Sequence, residues 1–262
     1  MIAVLRRELA GSWRGVALWS LAIVAILSLY LPLYPSLVGG DMQQLLDSLP
    51  PDLVATLGYD DITSGAGYAQ ATFYGLMGFF LVTAAAIAWA SQAIGGHEQS
   101  GRLELDLAHG IGRVAYVAGQ AVALLVRVLI LVAVGTIAIL AFNEPAELEL
   151  EPGPVLVASA ALAALALFCA MWALLAGAAI GGRALSAGVG ALVAVASYAL
   201  NAVAAQNPDI EWLGDTSPYT WAFGDAPLKG GVAIADQWPL WLFVVALPVL
   251  SVLALRRRDV HG

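Results

Sequence analysis

Residues Val155–Ile180 read VLVASAALAALALFCAMWALLAGAAI, and this stretch decides the fold. Its 26 residues carry no charge and are dominated by Ala and Leu, both good helix formers. As a helix it runs about 39 Å at 1.5 Å per residue, enough to cross a hydrocarbon layer of ~30 Å. A barrel strand would alternate apolar and polar residues over about ten positions, and this run does not alternate. Five further apolar stretches lie on either side, and the six together predict spans near 13–34, 69–94, 114–142, 154–181, 184–205 and 238–255. The expected fold is an all-α integral membrane protein, a single transmembrane domain over 1–262 with six helices. The totals agree: 61% of the 262 residues are hydrophobic and 11% charged, against roughly half and one quarter in a soluble domain. Mean hydropathy is +0.84.

The arginines set the orientation. With six spans, one side receives both termini and the connections near 95–113 and 181–183, and that side holds nine of the 11 basic residues. The opposite connections hold Lys229, and Arg127 falls inside a span. By the positive-inside rule both termini are expected in the cytoplasm and the chain in the cell membrane. Of the 19 acidic residues, 14 fall on the outer side, so the net charge of −8 describes the outer loops.

The same composition excludes several function classes. A pI near 4.7 offers no basic face for nucleic acid. A single cysteine, Cys169, cannot build a disulfide or a cysteine metal site within the chain. The one lysine, Lys229, follows Leu228 and precedes Gly230, whereas a P-loop needs Gly before its Lys and Ser or Thr after it. His97-Glu98 opens like the zinc motif H-E-x-x-H, but Gly101 stands where the second histidine belongs. Neither a catalytic site nor a cofactor bound by this chain is expected.

The connections carry some structure of their own. Ile2, Leu5, Leu9 and Trp13 recur at helical spacing while Arg6, Arg7 and Arg14 take other faces, the pattern of a short helix at the inner membrane surface. The apolar stretch that follows ends in Tyr30-Leu31-Pro32-Leu33-Tyr34 rather than a small-residue cleavage site, so it reads as a retained first span. In the first outer connection, Asp41 with Gln44 resembles a helix start, Met42, Leu45, Leu46 and Leu49 form one apolar side, and Pro50-Pro51 stops it. A second short helix is expected from Pro51 to Leu57. The last outer connection carries Trp212, Trp221, Phe223 and Trp238, rings suited to the headgroup level.

Residues 95–113 are the most informative connection, because they mix charge, glycine and leucine too closely for a passive hairpin. Leu103 and Leu107 are four apart as on a helix, yet Leu103, Leu105 and Leu107 alternate as on a strand, so periodicity leaves the form open. Glu98, Gly101, Leu103-Glu104-Leu105, Leu107-Ala108 and Arg113 resemble the signature of the membrane subunits of type-2 ATP-binding-cassette exporters. Ser217-Pro218-Tyr219 resembles the same family's S-P-[FY] element. The sequence departs from the pattern where Gly110-Ile111-Gly112 replaces a usual proline, and where Asp106 replaces a common apolar residue.

The resemblance implies a permease subunit whose segment 95–113 is a coupling helix docked on a separate nucleotide-binding ATPase subunit. On that reading Glu98, Gly101, Leu103, Glu104, Leu107 and Arg113 carry the coupling, and ATP and Mg sit on the partner. It further implies a second permease copy or a related permease, and export of a hydrophobic or amphipathic substrate such as a drug, antibiotic or lipid. The alternative is a secondary carrier or channel not coupled to ATP, which ordinarily needs acidic groups inside the membrane.

Polar side chains in or near the spans include Gln120, Thr83, Thr136, Ser197 and Asn201 beside Arg127. Gln120, Arg127, Ser197 and Asn201 are the candidates to line a substrate path, and such groups as often bond neighbouring helices. No acidic residue falls inside another expected span. Arg127 is therefore expected to snorkel towards the cytoplasmic headgroups, with a substrate-facing or lipid-phosphate role as the alternative.

Overall fold

A computed structural model describes residues 1–37, 63–206 and 208–258. The helices expected between residues 41 and 57 lie outside the described residues. The rest of the architecture is built around α5, Pro152–Ala179, which packs against four other long helices. The sequence explains its position. A helix apolar on every side has no face to give to water, and alanine side chains let neighbouring backbones come close. Every residue from Ala161 to Ala170 is buried. Pro152 starts the helix at a position where its missing N–H costs nothing.

Around it stand α1 (Ile2–Tyr30), α2 (Gly65–Gln99), α4 (Arg113–Asn143), α6 (Arg183–Ala204) and α9 (Trp238–Arg257), with the short α3 (Arg102–Ala108) between α2 and α4. Two further short helices, α7 (Trp212–Asp215) and α8 (Pro218–Phe223), lie between α6 and α9. All six long helices are long and apolar enough to cross a membrane. Among the described residues there is no strand. α1, α6 and α9 are peripheral and leave broad apolar faces open, including Leu18, Leu192 and Val245, each at least 68% exposed.

Two features bear on function. The helix expected at the membrane surface and the first span form one element, because nothing between Ile2 and Tyr30 interrupts the backbone hydrogen bonding. At 29 residues α1 is about 43 Å long, so its first turns reach beyond a ~30 Å layer while remaining packed on α4. α2, in turn, contains two π-helical segments, Gln70–Met77 and Gln92–Gly96. Such widened turns concentrate at functional sites. Each has a carbonyl filled by a tyrosine from another element: Tyr219 Oη donates to Gly75 O (2.8 Å), and Tyr116 Oη donates to Ala93 O (2.9 Å).

Candidate coupling site

At the arginine-rich end of the bundle, α3 is a separate helix of seven residues set between two turns. It begins after Gly101, whose φ of +70° is a left-handed conformation open to glycine and costly for most other residues. A second left-handed glycine, Gly110 (φ +81°), follows it before α4 starts at Arg113. The periodicity left open in the sequence resolves as helical: Leu103 and Asp106 are buried on one face, Leu107 packs against the core from its edge, and Leu105, Ala108 and His109 are exposed on the other.

A charged cluster anchors the buried face. Arg7 of α1 makes two hydrogen bonds to the Asp106 carboxylate, the one from Nη1 at 2.6 Å. Arg102 Nη2 reaches Glu8 Oε1 at 3.1 Å. On the other side of Glu8, Arg127 of α4 donates from Nη2 to Glu8 O (2.8 Å) and Oε2 (3.4 Å), and from Nε to Ser12 Oγ (2.9 Å). The Arg127 guanidinium also lies 5.8 Å from the centre of the Trp89 ring of α2. Three guanidiniums therefore surround two carboxylates, and α1, α2, α3 and α4 are held at one point.

His97 extends the cluster into α2. Its Nδ1 is 2.8 Å from Tyr116 Oη, whose own proton goes to Ala93 O, so Nδ1 carries the proton and donates. The lone pair on Nε2 then faces Arg102 Nη1 at 3.4 Å. Gln120 packs beside this group with its Nε2 3.4 Å from Nδ1, a donor facing a donor and so a contact rather than a hydrogen bond.

At the opposite end, Ser217, Pro218 and Tyr219 pin α8 to the bundle. Ser217 Oγ caps α8 by accepting from Thr220 N (3.2 Å), and donates to Ser197 O of α6 (2.7 Å). Thr220 Oγ1 donates to Asn201 Oδ1 (3.0 Å), while Tyr219 is buried against α2. Burial pushes the Tyr219 phenol well above its usual pKa, so it stays a donor. An open cavity of about 400 Å³ lies beside this contact, lined in part by Asn201, Glu211, Asp215 and Thr220.

A family model described as ABC-2 family transporter protein matches residues 2–260. The chain belongs to the ABC-2 transporter family. A comparison with curated proteins gives no match. As an ABC-2 permease the chain is a multi-pass membrane transport subunit rather than an enzyme, and α3 occupies the connection that the sequence signature marks.

Within this ABC-2 permease the signature residues are mostly turned inward. Leu103 is fully buried, Arg113 Nη1 donates to Arg256 O (3.0 Å), and Glu98 is taken by Arg258. Both carboxylate oxygens of Glu104 are enclosed, with no hydrogen-bond partner among the described residues. The four candidate path residues fall in two separate groups, Gln120 with Arg127's cluster and Ser197 with Asn201 against α8. Arg127 does not snorkel: it is 4% exposed and points at α1, because Glu8 lies inside the long first helix and supplies the acidic partner that the expected span boundaries had excluded. Asp106 was the signal for this cluster, a charge standing where an apolar residue is common.

The Arg7 pair holds the Asp106 carboxyl below the usual carboxylate range. A depressed pKa stabilises the fold above the unfolded value of ~3.9, and the contribution is lost as pH falls through the folded value. With Arg7 39% exposed and screened, the pair is worth about 1 kcal/mol. Asp106→Asn should therefore lose about that much at pH 7 and show a correspondingly shallower fall in stability below about pH 4. Thermal unfolding of both proteins across pH 3–7 checks it, and equal acid sensitivity would refute it.

Proposed function

We propose that this chain is the membrane-spanning half of an exporter driven by a separate ATPase, with α3 as the element the ATPase pushes. The observation that carries the reading is the division of α3 into two faces. Its inner face is bolted to α1 through Asp106 with Arg7 and Arg102 with Glu8, and through Glu8 to Arg127 of α4, whereas its outer face offers Leu105, 61% exposed, beside Ala108 and His109. A lever needs both: a rigid attachment to what it moves and a free surface for what moves it. The arginine-rich end is then cytoplasmic, where a soluble ATPase can reach it.

On this reading ATP and Mg bind the partner, in keeping with the absence of a P-loop around Lys229. Two permease copies, or this chain and a related permease, stand together in the cell membrane. Family resemblance favours a hydrophobic or amphipathic substrate. A carrier independent of ATP would need an acid free to exchange its counter-ion. Glu8 is buried in the first turns of α1, but Arg102 and Arg127 hold it from two sides, which argues against that use.

Co-purification with a Walker-containing ATPase tests the reading. The wild type should retain it, and Leu105→Asp or Ala108→Glu should weaken retention about tenfold, equivalent to ~1.4 kcal/mol. A wild-type chain that captures no Walker-containing ATPase, or that drives concentrative flux alone without nucleotide, would sink the exporter.

A further inference from the structure

The two glutamates of the coupling signature have different surroundings, and Glu98 is already spoken for within the chain. Its carboxylate is held by the guanidinium of Arg258, the residue that follows α9. The same guanidinium donates from Nη1 to Gly177 O (3.1 Å) and Ala178 O (3.4 Å), carbonyls in the last turn of α5. A cation is favoured there, since those carbonyls form the negative end of the helix dipole. Gly181, in the turn leading to α6, lies directly beneath: a Cβ on it would come within 2.6 Å of both Arg258 Nη2 and Glu98 Oε2. One guanidinium thus gathers the ends of α2, α5 and α9 and the turn into α6. Its side chain is 20% exposed and that of Glu98 15%, so the contact is partly shielded from water and salt.

We infer that Arg258 is a positioning residue that makes the last span follow the coupling segment. The Glu8 cluster hands the movement of α3 to α1 and α4, and the Glu98–Arg258 clasp hands the movement at the end of α2 to α5 and α9. Glu98 then acts inside the permease rather than on the ATPase. This inference rests on the exporter reading above, and its failure can be told apart from the failure of that reading.

The test uses the full chain with its ATPase in lipid nanodiscs, in a Cys169→Ala background with a spectroscopic label at Ile234→Cys, an exposed position just before α9. The readouts are ATPase retention and the label shift on trapping with ATP, Mg and vanadate. Arg258→Ala and the volume-conserving Glu98→Gln should both keep the ATPase bound yet lose most of the shift, and Arg258→Lys should restore much of it. A brace with no part in transmission would leave the shift intact wherever the ATPase still binds, so a wild-type shift in Arg258→Ala overturns the inference. If the unsubstituted chain binds no ATPase, the exporter reading falls and this inference with it.

Discussion

Glu8→Ala should cost about 3–5 kcal/mol of stability, because it strands a guanidinium rather than merely deleting a surface contact. Arg127 is 4% exposed, and its nearest anion is the Glu8 carboxylate. Without it, Nη2 keeps the Glu8 backbone carbonyl and Nε keeps Ser12, so two hydrogen bonds survive but no countercharge does. The neighbouring cations make matters worse, since Arg7 and Arg102 then repel Arg127 with a single carboxylate, Asp106, left among the three. Arg102 is 40% exposed and can find water; Arg127 cannot. Glu8→Leu combined with Arg127→Leu should recover most of the loss and lie within about 2 kcal/mol of wild type, since an apolar pair needs no desolvation. Equilibrium unfolding in mixed detergent of Glu8→Ala and of the cycle formed by wild type, Glu8→Leu, Arg127→Leu and the Leu double measures both losses. A loss below about 1 kcal/mol in Glu8→Ala would mean that Arg127 swings out to a headgroup after all, the arrangement first expected from the sequence.

That reversal shows what was legible and what was not. The six helices could be read because burial in lipid demands long unbroken apolar runs, and α5 meets the demand without exception. Segment 95–113 announced itself by charge and glycine, and Gly101 and Gly110 take the left-handed backbone that ends α2 and α3 cleanly. The partner of Arg127 stayed hidden because Glu8 sits among Arg6 and Arg7, where a charge-free window excludes it from the span. Only the continuity of α1 brings it beside α4, and that continuity is a matter of packing along a helix longer than the bilayer. Ser197 and Asn201 read equally well as path-lining or helix-bonding groups, and their contacts with Ser217 and Thr220 come from a chain reversal that spacing does not encode. Arg258 looked like one more positive-inside residue. Its role depends on the α5 carbonyls and Glu98 arriving at the same place from distant parts of the chain.

Gly95→Ala is the second change expected to do severe damage, at about 3 kcal/mol, and the reasoning turns on what a single methyl would strike. Alanine outranks glycine as a helix former by about 1 kcal/mol, so propensity alone favours the change. Space decides against it. The added Cβ would lie 2.6 Å from Gly182 O, 2.7 Å from Gly182 C and 3.0 Å from Arg183 N, all backbone atoms that no side-chain rotation can clear. The turn before α6 must then back away from α2, and Gly181, wedged beneath Arg258 and Glu98, moves with it. Overpacking of this kind costs about 1–3 kcal/mol, and more where the displaced group is itself held by a clasp. Gly188 provides the control: it lies inside α6 with nothing within 4 Å of an added Cβ, so Gly188→Ala should stabilise the chain by about 0.5–1 kcal/mol. Thermal unfolding of the two variants side by side separates propensity from contact. If both shift in the same stabilising direction, α2 and the 181–183 turn are not packed backbone to backbone, and the route from the coupling segment to α6 must run elsewhere.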